Sequence, residues 1–155
     1  MAKSINHQEK SILKKWTNIL GYSGIIPFVG LAVMLLIVDV RLNMSVAFAL
    51  HLYGAIILSF LGGLHWGRIA SQRDNTSSDK WYLIYSVIPS LIGWFSCLFV
   101  GIWQASASLL IAGFIISYLI DVRLIKQGEW QSWMGKLRFN LTLIACCSLT
   151  ILLIY

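Results

Sequence analysis

Residues 45–67, SVAFALHLYGAIILSFLGGLHWG, decide the fold of this 155-residue chain. The stretch contains no Asp, Glu, Lys or Arg, and it exceeds the about 20 apolar residues that an α-helix needs to cross a bilayer. Small residues recur every four positions in it, at Ala55, Ser59, Gly63 and Gly67. Because such a ridge lets a second helix backbone approach closely in lipid, we predict helix packing along it.

Four more apolar segments of similar length flank this stretch. Together the five predicted helices cover residues 17–38, 45–67, 82–101, 105–124 and 137–155. A short break at residues 101–104 divides the third from the fourth, which predicts a tight helical hairpin. Residues 1–16 place lysines between apolar positions and predict a short helix at the membrane surface. The predicted fold class is an all-α membrane bundle of about five helices in one transmembrane domain.

The composition excludes most soluble functions. Hydrophobic residues make up 58% of the chain and charged residues only 12%, whereas soluble domains carry roughly 25% charged residues. The formal net charge is +6, but the basic residues lie between apolar segments and not along one continuous face. The predicted partners are therefore membrane lipids and not nucleic acid.

The basic residues also predict the orientation of the bundle. With the N-terminus in the cytoplasm, eleven of the 12 Lys and Arg residues lie inside, and Arg41 alone lies outside. Positive charge is retained on the cytoplasmic side, so the C-terminus is predicted to lie outside. The predicted location is the cytoplasmic membrane of a bacterium, or the mitochondrial inner membrane in a eukaryote.

Three ionisable residues are predicted to meet near the cytoplasmic end. His65 lies near the end of the second helix, Asp121 near the end of the fourth, and Arg138 at the start of the fifth, all at about one depth. Ionisable groups inside a membrane are costly, and they usually pair or line a wet cavity. We therefore predict an Asp121–Arg138 ion pair with His65 beside it.

Other polar groups lie at a compatible depth. Pro27 and Pro89 lack a backbone donor, so each frees the carbonyl group four residues earlier. Such freed backbone is tolerated where it is buried in protein or lines a cavity. The remaining candidate binding residues are Tyr22, Ser23, Trp66, Ser86 and Asn140.

Two interpretations of the charged residues remain open at this point. Asp121 and Arg138 serve only as a structural staple or topology lock, since charges within one turn of a helix end can also reach the headgroups, or they bind a small polar ligand, lipid headgroup, quinone or ion. A different class of function is an accessory subunit that docks another membrane protein, or a second copy of the chain, through its small-residue faces.

No motif predicts catalysis, a cofactor or a metal. Cys97, Cys146 and Cys147 lie in apolar segments without metal-site spacing. His51 and His65 share one helix face, but a bis-histidine haem needs a second histidine-bearing helix, which only a dimer would supply. Nucleophile motifs, phosphate loops and paired carboxylates are also missing from the sequence.

Several strings resemble one known family. They are residues 20–28 (LGYSGIIPF), 59–67 (SFLGGLHWG), 86–90 (SVIPS) and the segment from Leu137 to Thr142. In this order they resemble the transmembrane protein 69 family, a domain of unknown function found in bacterial membranes and mitochondria. The resemblance covers residues 17–153 and implies five helices but no activity. It also implies that another basic residue can replace His65, so a positive or donor group matters there more than imidazole does.

Overall fold

The structure is a computed structural model that describes residues 2–37, 40–71 and 77–154. Side chains are described for residues 11–37, 43–71 and 80–154. The surface-helix and orientation predictions also involve the first ten residues, Arg41 and the C-terminal Tyr155. The side chains of these residues lie outside the described part of the chain. The helices are α1 (Ala2–Ser23), α2 (Ile25–Ile37), α3 (Val40–Ala70), α4 (Ser77–Cys97), α5 (Trp103–Lys126) and α6 (Trp133–Thr150), with a 3₁₀ helix at Ile151–Ile154.

Four helical segments in the described chain are long and apolar enough to cross a membrane. They are Ser11–Ile37, which joins α1 to α2, together with Asn43–Ala70, Trp103–Lys126 and Trp133–Ile154. The predicted class of all-helical membrane protein is therefore confirmed. The remaining helix, α4, has 21 residues, but its serines, tyrosines, tryptophans and proline make it less apolar. A count of four or five spans depends on α4.

The break between α1 and α2 follows from one proline. Pro27 has no N–H to donate to the carbonyl of Ser23, four residues earlier. The helix ends there, and the amide of Gly24 donates to the carbonyls of Leu20 and Gly21, both at 3.2 Å. The break is tied to the bundle because the hydroxyl of Tyr53, on α3, donates to the carbonyl of Gly24 at 2.9 Å.

Helix α3 lies at the centre of the bundle and packs against α2, α4, α5 and α6. Its buried leucines meet those of α5 and α6 in one apolar core. Phe28 of α2 joins this core, with its ring edge-on to Tyr53 and to Phe114. The largest fully buried side chains of the core are Leu50, Leu58, Leu110, Phe114, Leu149 and Leu152.

Helices α3 and α4 are antiparallel and touch through glycines. A Cβ on Gly62 would collide with the carbonyl of Ser86, and one on Gly93 would lie 2.9 Å from the carbonyl of Ala55. Two residues of the predicted ridge face α4 here: Ala55 through its carbonyl, and Ser59 through its hydroxyl, which lies 3.3 Å from the same Gly93 position. At the two remaining ridge positions, nothing described lies within 4 Å of a Cβ built on Gly63 or Gly67. Helix α4 follows the side of α3 that carries Ala55, Ser59 and Gly62, and Gly63 lies roughly 100° around the helix from Gly62.

The hairpin between α4 and α5 lies slightly earlier than predicted. The turn occupies residues 98–102, and Trp103 already belongs to α5. Trp103 is buried, with its ring edge-on to His51 at 6.2 Å, so packing draws it into the bundle. At the other end of α5, Gly128 adopts a left-handed φ of 77°, which turns the chain back across the bundle toward α6.

Candidate functional site

Asp121 is completely shielded from solvent near the C-terminal end of α5. The buried residues of α5 recur every three or four positions, at Leu110, Phe114 and Ser117. Because an α-helix repeats every 3.6 residues, Asp121 continues this face and must point into the bundle. The same periodicity buries Leu124 one turn later.

Two basic side chains from different helices meet the Asp121 carboxylate. Arg138 of α6 donates its Nε–H to Asp121 Oδ2 at 2.5 Å. His65 of α3 places Nε2 at 3.1 Å from Asp121 Oδ1. All three residues are at most 5% exposed. The predicted ion pair is therefore present in the structure, with the predicted histidine beside it, while its role in binding remains a prediction.

Aromatic rings enclose His65. The ring of Trp130, from the loop between α5 and α6, stacks on His65 at 5.2 Å and an interplanar angle of 7°. The ring of Tyr85, on α4, meets His65 edge-on at 5.4 Å. Tyr85 is held in place because its hydroxyl donates to Ser117 Oγ at 3.2 Å. His65 therefore has little freedom to leave the carboxylate.

Several buried polar atoms of the cluster lack hydrogen bonds. His65 Nε2 and Asp121 Oδ1 lie close enough for an electrostatic contact, but their alignment is not that of a hydrogen bond. His65 Nδ1 also has no hydrogen-bond partner among the described residues. A buried donor or acceptor without a partner costs roughly 1–3 kcal/mol. The described protein groups around the cluster therefore do not satisfy all of its hydrogen-bonding atoms.

A second ion pair fastens the loop that carries Trp130. Arg68, at the end of α3, contacts Glu129 at 2.5 Å, and its guanidinium lies 5.8 Å above the ring of Tyr82. Tyr82 in turn donates to the side chain of Gln127 at 3.0 Å. The loop is therefore tied to both α3 and α4, and it covers the end of the bundle beside His65.

On its other side, the cluster adjoins an apolar groove of about 350 Å³ between α1, α2, α3 and α6. Arg138 contributes to its wall together with the hydroxyl-bearing Thr17 and Thr142. We call this cavity the Arg138 groove. Its remaining wall is almost entirely apolar: Leu20, Gly21, Gly24, Ile25, Phe28, Ile57, Phe60, Leu61, Leu64, Phe114, Met134, Leu137, Leu141 and Ala145.

The other predicted binding residues are not part of the cluster. Asn140 donates to the hydroxyl of Tyr22 at 3.0 Å on a more exposed surface. Ser23 and Ser86 donate to carbonyls of their own helices, at 2.8 Å and 2.6 Å respectively. Trp66 is half exposed on the outer side of α3. Their depths were compatible with the site, but their helix faces point elsewhere.

Four residues around the site were missed by the sequence reasoning. Ser117 lies four residues before Asp121, so helical spacing alone could have identified it. The sequence identifies Tyr85 only as the residue whose carbonyl is freed by Pro89, because it does not show which face of α4 packs against α3. Trp130 belongs to the loop between α5 and α6, and Arg68 contacts that loop through Glu129. A loop has no periodicity from which the positions of its side chains could be predicted.

A separate polar cluster lies nearer the opposite end of the bundle. His51 is fully buried, with Nδ1 3.0 Å from Ser106 Oγ and Nε2 3.2 Å from Ser96 Oγ. Ser106 also donates to the carbonyl of Ser96 at 3.1 Å. Since both ring nitrogens have serine partners, His51 serves as a packing residue that joins α3 to α5 and to the end of α4.

The fold and the cluster define a multi-pass helical membrane protein with a buried charged site near one end of its bundle. The chain belongs to the family described as protein of unknown function (DUF3429), whose profile matches residues 13–154. This match and two named relatives together confirm the resemblance noted in the sequence.

Curated relatives carry the name Transmembrane protein 69. The protein from Xenopus tropicalis is 38% identical over 130 residues, which are 84% of this chain and 50% of the relative. The protein from Mus musculus is 30% identical over 132 residues, which are 85% of this chain and 53% of the relative. The chain thus spans about half the length of these curated relatives. No solved structure matches it.

Proposed function

We propose that this chain is a five-span membrane protein that binds the acidic group of a small ligand through Arg138. The observation that supports this proposal most is the burial and incomplete hydrogen bonding of the Arg138 side chain. Arg138 is only 5% exposed, yet it lines the Arg138 groove. Guanidinium carries five N–H donors in a planar fork, and Asp121 takes the Nε–H. Within the described residues, the two terminal nitrogens make no hydrogen bond, so they are available to an acidic group in the groove.

Energetics favour a binding role over a purely structural one. A buried ion pair is weak evidence for stability, because desolvation offsets most of its attraction. Ionisable residues within membranes more often mark a ligand or ion pathway. Here Asp121 holds the arginine in place, and His65 Nε2 lies 3.1 Å from the same carboxylate. The arrangement supports recognition of an oxygen-bearing anion by a preset arginine.

Five spans are supported by the position of α4 along α3. The two helices remain in contact from Tyr82 beside Arg68 to Ser96 beside His51. The fourteen residue steps from Tyr82 to Ser96 rise roughly 21 Å, about two-thirds of the roughly 30 Å hydrocarbon core. A helix packed so far along a spanning helix shares its depth in the bilayer. The basic end is assigned to the cytoplasm by the positive-inside rule, in a bacterial cytoplasmic or mitochondrial inner membrane.

The binding proposal is tested by mass spectrometry of the small molecules that copurify with the gently extracted, full-length protein. The test variant combines Asp121→Asn with Arg138→Gln, so that neither charge is left uncompensated. We expect the wild type to retain at least one acidic compound. The retained amount should fall about tenfold or more in this variant, because a hydrogen bond to a charged group contributes roughly 1.5–3 kcal/mol.

The control carries Arg123→Gln, which removes an exposed arginine of α5 that does not line the groove. This control should retain the compound. If the wild type and the Asp121→Asn/Arg138→Gln protein retained the same acidic molecules in the same amounts, the binding proposal would be wrong.

A second candidate function is that of an accessory subunit for another membrane protein or a second copy. The open space around Gly63 and Gly67 favours it, since small residues four apart allow close helix contact in lipid. Copurification from native membranes tests this candidate. A stoichiometric protein partner that Gly63→Leu releases would support it, and a protein that purifies without partners would contradict it.

A further inference from the structure

We infer that the Arg138 groove holds one acyl chain of an acidic phospholipid, whose phosphate lies beside Lys14 and Arg138. The inference rests on the proposed function and names the class of its ligand. Three independent features of the groove carry it: its length, its opening and the charges at its mouth.

The length of the groove matches one leaflet of a bilayer. Along α6 its wall extends from Met134 to Ala145, and along α1 and α2 it extends from Thr17 to Phe28. Each of these intervals is eleven residues, a rise of roughly 16 Å. Half of the about 30 Å hydrocarbon core is roughly 15 Å. A chain that enters at the basic end would therefore end near the bilayer midplane, where the Phe28 and Phe114 rings close the groove.

The groove opens sideways toward lipid. Leu20, Phe60 and Leu64 line it and are nevertheless 65%, 59% and 38% exposed. These side chains form the edges of an opening on the apolar surface of the bundle. The volume of about 350 Å³ lies within the roughly 300–1,000 Å³ of small-molecule sites. A lipid can thus enter from the bilayer, whereas a water-soluble ligand would have to cross apolar surface.

Positive charge surrounds the mouth of the groove. Lys14, Thr17 and Gly21 share one face of α1, because positions three and seven residues apart align on a helix, and the latter two line the groove. The ammonium of Lys14 lies 5.7 Å above the ring of Trp133, at the start of α6. It is thus held at the mouth, one turn from the groove wall. With the terminal nitrogens of Arg138, it supplies N–H donors for one phosphodiester. Because Asp121 already pairs with Arg138, the added positive charge comes from Lys14, and an uncharged amphiphile would not use it.

The inference is tested with full-length protein in vesicles of equal parts phosphatidylglycerol and phosphatidylcholine, followed by native mass spectrometry of retained lipid. We expect the wild type to retain one phosphatidylglycerol. Leu64→Trp, which fills the opening, should abolish retention of either lipid, and Leu91→Trp, on the exposed face of α4 away from the groove, should not. Lys14→Gln should lower the preference for phosphatidylglycerol about fivefold, and Lys80→Gln, on the exposed side of α4, should leave it unchanged.

Each alternative occupant gives a distinct result. Equal retention of the two lipids by the wild type, or unchanged retention by Leu64→Trp, would overturn the inference. A lipid-free dimer that closes the groove would overturn it as well. In a parallel sample, oleate that displaces phosphatidylglycerol would assign the groove to free fatty acids. That outcome, or a soluble acid retained through Arg138, would sink the phospholipid assignment while leaving the proposed function intact.

Discussion

At the scale of single residues, the notable feature is one carboxylate that serves two basic side chains. Asp121 accepts from Arg138 through one oxygen and faces His65 with the other. The second contact is not aligned as a hydrogen bond, so His65 contributes less to holding the carboxylate than Arg138 does. Removal of either member of the ion pair leaves a buried charge without its partner, and that cost exceeds the net stabilisation of the pair.

A double-mutant cycle measures this coupling. We expect Asp121→Asn alone to lower the free energy of unfolding by about 3 kcal/mol or more, because it leaves the Arg138 charge buried and uncompensated. Asp121→Asn combined with Arg138→Gln should be less harmful than the single change. Thermal unfolding of the purified protein in detergent provides the measurement. Mild and additive effects, as for exposed pairs worth roughly 0–1 kcal/mol, would show that both groups reach the headgroups and do not form a staple.

At the scale of helices, close packing between α3 and α4 depends on the side of α3 that carries Gly62. The adjacent Gly63 lies about 100° around the helix and faces open space. The sequence alone does not distinguish the two glycines. The four-residue spacing selects Gly63, whereas the close helix contact in the structure is at Gly62. Only the position of Ser86 across the interface distinguishes them, because its carbonyl occupies the space that a Gly62 side chain would need.

Matched alanine substitutions test this assignment. Gly62→Ala should destabilise the protein by roughly 1–3 kcal/mol, since its methyl group meets a backbone carbonyl that cannot move without shifting α4. Gly63→Ala should be neutral or stabilising by up to about 1 kcal/mol, because alanine is the better helix former. Melting temperatures of the two variants, compared at equal detergent, provide the measurement. A larger loss of stability for Gly63→Ala than for Gly62→Ala would show that Gly63, and not Gly62, makes the close helix contact.

At the scale of the whole molecule, the number of spans determines on which side the C-terminus lies. The four strongly apolar segments would return the chain to the side of its N-terminus, whereas a fifth span through α4 places the ends on opposite sides. The antiparallel contact from Tyr82 to Ser96 along α3 supports the second arrangement, and it brings Arg68, Lys126 and Lys14 to one end.

A C-terminal reporter that is active only in the cytoplasm decides between the two counts. With five spans and a cytoplasmic N-terminus, the fusion should be expressed but silent. As a control, the same reporter fused after Lys126 should be active, since that end of α5 lies with the basic residues. A fully active C-terminal fusion would contradict the combination of five spans with a cytoplasmic N-terminus.

The sequence by itself determined the class of the protein, the approximate extent of its helices and the pairing of Asp121 with Arg138. These follow from local properties: apolar length, charge asymmetry, and the cost of a charge at membrane depth, which leaves few possible partners. The tertiary structure alone decided which glycine faces α4, the stacking of Trp130 on His65, and the groove beside Arg138. Those features depend on how helices distant in sequence rotate against one another and where a loop crosses the bundle. A rotation of one residue leaves the apolar pattern of a membrane helix almost unchanged, so no periodicity in the sequence records it.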